Sequence, residues 1–151
     1  MTEYVKNMRK YIGHARLMIV GAAVILRRQD GCILLQKRRD NDCWGLHGGC
    51  VEPGEACEAA ARRELWEETG LTAGQLTLFG VFSGPEMLYT YPNGDMVSNV
   101  CTVYICEDFS GNALPETEET AGLCWFFPTS LPDNISPPDK PVLEAYLRSL
   151  S

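Results

Sequence analysis

The chain has 151 residues, 45% of them hydrophobic and 22% charged, the dimensions and composition of one globular domain rather than two. Its 13 Lys and Arg against 20 Asp and Glu give a net charge of −7, which argues against a main task of gripping an extended nucleic acid or an anionic membrane. The acidity is concentrated: residues 1–48 hold nine basic and four acidic residues, 49–119 two basic and thirteen acidic, and 120–151 two basic and three acidic.

In chain order, Tyr4, Met8, Tyr11 and Ile12 recur at helical spacing between a capping Thr2 and a terminating Gly13, so a short amphipathic helix is expected over about 2–12. It can complete a homodimer or cover an open sheet edge. Leu17 to Leu26 is nearly continuous and apolar, as in a strand buried on both faces, and Asp30-Gly31 predicts a hairpin turn into Cys32 to Gln36. Residues 40–54, rich in Gly, Asn and Asp, are expected to be loop, broken by an apolar patch at Trp44 to Leu46. Glu55 to Thr69 turns to Ala, Glu, Arg and Leu and is followed by Gly70, a helix whose buried stripe is Cys57, Ala61 and Leu65. Strands are expected over 76–82, 87–91 and 97–106, with a turn at Pro92 to Asp95. An acidic loop over 107–120, a short strand over 123–127 and a helix over 143–150 close the chain.

Seven cysteines, at 32, 43, 50, 57, 101, 106 and 124, include no C-x-x-C pair and read as reduced thiols. No apolar run reaches the roughly 18 residues that cross a bilayer, and charged residues continue to Arg16 where a signal peptide would be apolar. A cytoplasmic location is expected.

The most informative segment is Gly49 to Leu71, GCVEPGEACEAAARRELWEETGL. Residues three and four apart share a helical face, so Glu64, Glu67 and Glu68 bring their carboxylates into one small volume. Such crowding raises proton affinity and costs helix stability unless a cation sits among the carboxylates. A hard divalent ion with oxygen ligands answers that cost: Mg²⁺, which keeps waters and bridges carboxylates to phosphates, or Mn²⁺. A glutamate-rich helix is more often a solvated face with ion pairs such as Glu58 with Arg62, but the glycines from 48 to 54, Arg63 and the Gly70-Leu71 exit make that the weaker interpretation here.

Those residues carry a resemblance. Gly49, Glu55, Arg63, Glu64, Leu65, Glu67, Glu68, Gly70 and Leu71 match every fixed position of the Nudix box, G-x5-E-x7-R-E-U-x-E-E-x-G-U with U bulky and aliphatic. Seven of these positions demand one residue type, a coincidence of about one in 10⁹ at a given start. The resemblance runs from Leu17 to about Phe127 and implies an α/β protein with the Nudix fold, an α/β/α sandwich around a mixed sheet, as a single domain over 1–151. It implies metal-dependent hydrolysis of a nucleoside diphosphate linked to another group. It also implies Glu64, Glu67 and Glu68 as metal ligands with the Gly49 carbonyl as a further one, and Glu55 and Arg63 as braces. The general base differs between members: a glutamate of the helix, or an acid from a later loop. Among Glu116, Glu118 and Glu119, the sequence Glu119-Thr120 ahead of Trp125-Phe126 favours Glu119. Arg38 matches a position often basic in the family and is the first candidate for a phosphate contact, ahead of Arg27, Lys37 and Arg39.

Two departures need weighing. His47 stands where the family commonly has proline before the two glycines, and can be a titratable group near the metals or a tolerated loop residue. Cys43, His47 and Cys50 invite zinc, but three soft ligands fall short of a four-coordinate site. Tyr89 to Asp95 resembles a hairpin of a largely uncharacterised branch, whose tyrosines stack on a base or pack on the sheet. ADP-ribose or a nucleotide sugar is the first expectation for substrate and a (deoxy)nucleoside triphosphate the second. A catalytically silent nucleotide sensor is the alternative class. Capped RNA is disfavoured because only Lys140 and Arg148 are basic after Arg63.

Overall fold

The computed structural model describes residues 2–151. The strand expected between Leu17 and Leu26 is β1 (Leu17–Leu26), and it organises the chain. β2 is Ile33–Arg38, followed by two short strands, β3 (Trp44–Gly45) and β4 (His47–Cys50). β5 (Thr72–Ala73), β6 (Thr77–Phe82), β7 (Leu88–Thr90), β8 (Met96–Cys106), β9 (Phe109–Ser110) and β10 (Thr120–Phe126) follow. The helices are α1 (Glu3–Ile12), α2 (Cys57–Thr69) and α3 (Lys140–Ser149). None of these helices is long and apolar enough to cross a membrane.

β1 pairs antiparallel with β4 on one side and parallel with β8 on the other, and β8 pairs antiparallel with β6 and β7. A second sheet runs β10-β2-β3, all antiparallel. Because side chains alternate along a strand, the continuous apolar run of β1 feeds two cores. Ala22, Val24 and Leu26 pack with Ala60, Ala61 and Leu65 of α2, whereas Ala23 and Ile25 pack with Val142, Leu143 and Tyr146 of α3. The result is the expected α/β/α sandwich with a mixed sheet.

α1 forms a third, smaller cluster. Val5 packs on Ile19 and Val97, with Tyr89 and Tyr91 at its margin. Thr2 caps the helix by accepting from Val5 N at 3.2 Å, and Gly13 ends it at φ 60°. Arg9 then donates to the carbonyls of Gly13, Ala15 and Met96, while Asp95 accepts from or bonds to His14 at 2.7 Å. The helix therefore lies over a sheet face at the start of β1, not along an edge.

Several details differ from the sequence expectation. β1 and β2 do not form a hairpin ladder: only Arg27 and Ile33 bridge them, and β2 takes β10 as its partner. Both strands are apolar on both faces, so each needs cover above and below, and splaying them into two sheets supplies it. The segment expected to be loop over 40–54 contains β3 and β4, and the acidic loop contains β9, which pairs with β5. Cys57 is half-buried, and the buried positions of α2 are Ala60, Ala61, Glu64, Leu65, Glu68 and Thr69. The stripe is shifted because two glutamates lie on the inward side.

His47 is fully buried, and its Nε2 bonds the Leu34 carbonyl at 3.0 Å. A carbonyl only accepts, so Nε2 carries the proton, and burial pushes the ring down to about 4 and keeps it neutral. His47 therefore does not assist at the carboxylates.

Leu65 is 0% exposed in the core beneath α2. Leu65→Ala should cost about 3 kcal/mol of unfolding free energy, measured by urea denaturation at pH 7; a loss below about 1 kcal/mol would show that the α2 face is loosely packed.

Candidate active site

α2 and the loop before it build the site from local bonds. Glu55 accepts from Glu52 N at 3.0 Å, which closes the loop on itself. Arg63, two turns into the helix, grips Glu55 through Nε and Nη2 at 2.8 and 3.0 Å and donates to the Cys50 carbonyl at 3.1 Å. Its Nη1 reaches Glu64 at 2.9 Å and Glu67 at 3.4 Å. One guanidinium thus ties the loop, β4 and two helix carboxylates together, and these carboxylates hold it above its ordinary proton affinity, Glu55 foremost. Gly48 and Gly49 permit the close approach. A Cβ on Gly48 would collide with the backbone of Ala22 and Ala23, and one on Gly49 would stand 2.5 Å from the Glu64 carboxyl carbon.

Glu64 and Glu68 are 8% and 4% exposed, whereas Glu67 projects into solvent at the cleft. Burial pushes Glu68 up to about 8, aided by the Glu64 charge and opposed by the Gln36 amide, Arg38 and the Gly48 N–H. Glu64 is also raised, by burial first and by Glu67 and Glu119, against the pull of Arg63. Burial and neighbouring negative charge thus raise the proton affinity of Glu64 and Glu68, as expected of crowded, partly desolvated carboxylates. Among the described residues no three His, Cys, Asp or Glu side chains already form a metal cage, the set Cys43, His47 and Cys50 included. Arg63 Nη1 stands between Glu64 and Glu67.

The carboxylates open into a cleft of about 850 Å³ whose walls include Arg38, Arg39, Glu118 and Glu119. Alternation along β2 sends Arg38 to the cleft while Lys37 pairs with Asp42 at 3.4 Å on the other face. Arg38 is held by Asp40 at 2.9 Å; burial works to discharge it, and the Asp40 charge keeps it protonated. Arg39 bonds the Thr117 carbonyl and Glu116, so Glu116 is engaged in an ion pair and only Glu118 and Glu119 face the carboxylates of α2. Arg27 is away from the cleft, paired with Glu107 at 3.1 Å. Val5 and Arg9 of α1 form a further wall that the sequence did not announce.

A recess of about 140 Å³ adjoins the cleft at Gly48 and Gly49 and extends to Ser136, Pro138 and Asp139, just before α3. Ile19, Met87 and the edge-packed rings of Tyr89 and Tyr91, 5.0 Å apart, give it apolar walls. Its polar lining includes Arg38, Asp40, Asn41, Ser136, Asn99 and Asp139. Asn99 donates to the Met87 carbonyl at 3.2 Å, and Asp139 accepts from Leu46 N at 3.1 Å through Oδ2. Burial pushes Asp139 up to about 6. Gly45 makes room for it, since a Cβ there would strike its carboxylate. In the sequence, Asp139 before Lys140-Pro141 reads as a helix cap; its only nearby signal of another role is the glycine opposite, far away in the chain.

The family model described as the NUDIX domain matches residues 17–146. The chain belongs to the Nudix family. Among curated relatives, it is 38% identical over 112 residues to the "Putative 8-oxo-dGTP diphosphatase" of Bacillus subtilis, 74% of this chain and 68% of that protein. It is 38% identical over 100 residues to the "ADP-ribose pyrophosphatase" of Methanocaldococcus jannaschii, covering 63% of this chain and 55% of that protein. Among solved structures, the "MutT NUDIX hydrolase from Burkholderia pseudomallei" superposes with a TM-score of 0.72 at 32% identity, over 85% of this chain and 98% of that one. The MutT protein from Methanosarcina mazei, at 20% identity and a TM-score of 0.74, shares the fold. The chain is therefore a Nudix hydrolase, a family that generally uses divalent metal cations and acts on nucleotide pyrophosphates.

Glu67 carries a carboxylate to the cleft and is half-exposed, so its loss leaves the core intact. In this Nudix hydrolase, Glu67→Gln should lower turnover on the order of 100-fold or more with an unchanged melting temperature. Steady-state kinetics beside a thermal melt will check this, and full activity in the variant would remove Glu67 from the site.

Proposed function

We propose that this Nudix hydrolase cleaves a pyrophosphate bond of a nucleoside triphosphate bearing a guanine-type base. The observation that carries this is the recess beside the carboxylates, where two side-chain oxygens, Asn99 Oδ1 and Asp139 Oδ1, have no hydrogen-bond partner among the described residues. Asn99 donates one amide hydrogen to Met87 and Asp139 Oδ2 accepts from Leu46 N, which leaves Asn99 Oδ1 and Asp139 Oδ1 as acceptors for a ligand, with the Arg38 guanidinium on the same wall. Two acceptors suit a base edge that presents adjacent ring N–H and amino donors, as guanine does. The phosphates would then run over α2 toward Arg38 and Arg39, where further anionic groups are better placed than the uncharged second ribose of ADP-ribose. This puts the triphosphate ahead of ADP-ribose, opposite to the order suggested by the sequence.

In this account Glu64, Glu67 and Glu68, with the Gly49 carbonyl, would hold Mg²⁺ or Mn²⁺, and such an ion would supply charge neutralisation for the phosphates and a more acidic water. Arg63 and Glu55 keep the loop and helix in register. Glu119, across the cleft, accepts the proton of the attacking water as the new P–O bond forms and the bridging oxygen leaves with the departing phosphate. Arg38 steadies the phosphates. All seven cysteines are free, in keeping with a reducing, cytoplasmic setting.

The test is a panel of GTP, dGTP, 8-oxo-dGTP, ATP and ADP-ribose with Mg²⁺. Guanine nucleotides should exceed ATP in kcat/KM by at least about tenfold, and Asp139→Asn should erase most of that margin. Protonating Asp139 removes an acceptor, so KM for the guanine substrate should rise as pH falls through about 6 in the parent protein and stay flatter in the variant. A clear preference for ADP-ribose would overturn the base assignment; tight binding across the panel without cleavage would favour the silent sensor.

A further inference from the structure

Gln36 has no part in the Nudix box, yet it is 1% exposed in the middle of β2 and touches the carboxylate helix. Its Nε2 donates twice, to the Leu46 carbonyl at 3.1 Å and to Glu68 Oε2 at 2.9 Å. Its Oε1 accepts from the Thr120 hydroxyl, and Thr120 is fully buried. The orientation of this amide is dictated by its neighbours. Leu46 offers only a carbonyl, so the NH₂ end must face it and Glu68, and the oxygen must face Thr120, whose hydroxyl then donates.

The contacts form one chain across both layers of the site. Glu68 is fixed at its two oxygens, Oε2 by Gln36 and Oε1 by Gly48 N at 2.7 Å. Thr120 opens β10 immediately after Glu119, and the Glu119 carbonyl is tied back to Arg39 N at 3.1 Å on the strand that carries Gln36. Thr120 is paired with Arg38, and the register then slips by a bulge before Gly122 pairs with Lys37, which separates the fixed start of β10 from the regular ladder. Among the described residues, Gln36 is thus the one side chain bonded both to a box glutamate and to the strand end that presents Glu119.

Resting on the metal-binding account above, we propose that Gln36 is a positioning residue that sets Glu68 for the divalent cation and holds the Glu119 strand end in register with it. By taking one lone-pair direction of Oε2, Gln36 leaves Glu68 a single orientation toward Gly49 and Glu64. Without it, Glu68 keeps only the Gly48 N–H on Oε1 and its Oε2 is unrestrained, and Thr120 loses its acceptor.

A double-mutant cycle separates this role from simple core packing. Gln36→Met keeps the shape and removes the amide; it is made in the parent protein and in a Glu68→Gln background, with folding checked by circular dichroism. Mn²⁺ binding by isothermal titration calorimetry is the first readout, and turnover of the best panel nucleotide the second. The expected result is Mn²⁺ affinity about tenfold weaker and kcat at least about tenfold lower for Gln36→Met in the parent protein, with nucleotide KM within about threefold. In the Glu68→Gln background the same substitution should change Mn²⁺ affinity less than about twofold. Thr120→Val, which leaves Glu68 untouched, should lower kcat about threefold or more with Mn²⁺ affinity unchanged, and carries the test if Gln36→Met does not fold. Equal penalties in both backgrounds, or unchanged Mn²⁺ affinity and kcat, would overturn the inference alone. Absence of Mn²⁺ binding by the parent protein would overturn the metal assignment and this inference with it.

Discussion

Three like charges crowded on one helical face are the constraint that the surrounding structure answers. Glu64, Glu67 and Glu68 would repel one another on an isolated helix, and two of them are buried, which multiplies the penalty. Arg63 responds from within the same helix. Backbone N–H of Gly48 and the amide of Gln36 respond from the two sheets. Each response demands close approach of backbone to carboxylate, and that is why glycines occupy 48 and 49 and why β4 pairs with β1 directly beside α2. These donors hold the carboxylates in place, while burial and neighbouring negative charge keep Glu68 and Glu64 above the ordinary carboxylate range.

The sandwich turns this local strain into a site with two ends. β1 separates the cores under α2 and α3, and the carboxylate cleft and the recess adjoin one another along Ile19, Arg38, Tyr91, Gly48 and Gly49. A ligand with a base in the recess would reach the carboxylates across these glycines, where no side chain intervenes. α1, clamped by Arg9 and by the His14–Asp95 pair, closes the third side. The net charge of −7 takes on meaning here. In the proposed complex the acidity would face metal, and Arg38 of β2 with Arg39 just after it would face phosphate, so an acidic protein could serve a polyanionic substrate.

What was legible in the sequence was what short-range chemistry dictates. The box residues fall on one helix and one loop; helical spacing brings Glu64, Glu67 and Glu68 to one face, and the family resemblance implies Glu55 and Arg63 as braces, which the structure joins by an ion pair. α1, β1 and the Gly70 stop follow from periodicity and capping in the same way. Other features depend on contacts between distant segments and leave no local mark. β2 gives no hint that it will leave β1 for β10, because an apolar run with a good Asp-Gly turn describes a hairpin equally well. Gln36 looks like a polar residue on a strand, and Asp139 like a helix cap, until tertiary structure sets one against Glu68 and the other in the recess. His47 was ambiguous for the same reason: its neighbour in space, Leu34, is what removes it from the cleft.

The central claim, that the α2 carboxylates hold a divalent cation against the phosphates of a nucleotide, is tested most directly by crystallising the protein with Mn²⁺ and a non-hydrolysable guanine triphosphate analogue and locating the metal by anomalous scattering. The account predicts a peak about 2.0–2.3 Å from oxygens of Glu64 and Glu67 and from a phosphate oxygen of the bound analogue. Nucleotide bound with no metal at those carboxylates, or metal held elsewhere, would contradict it.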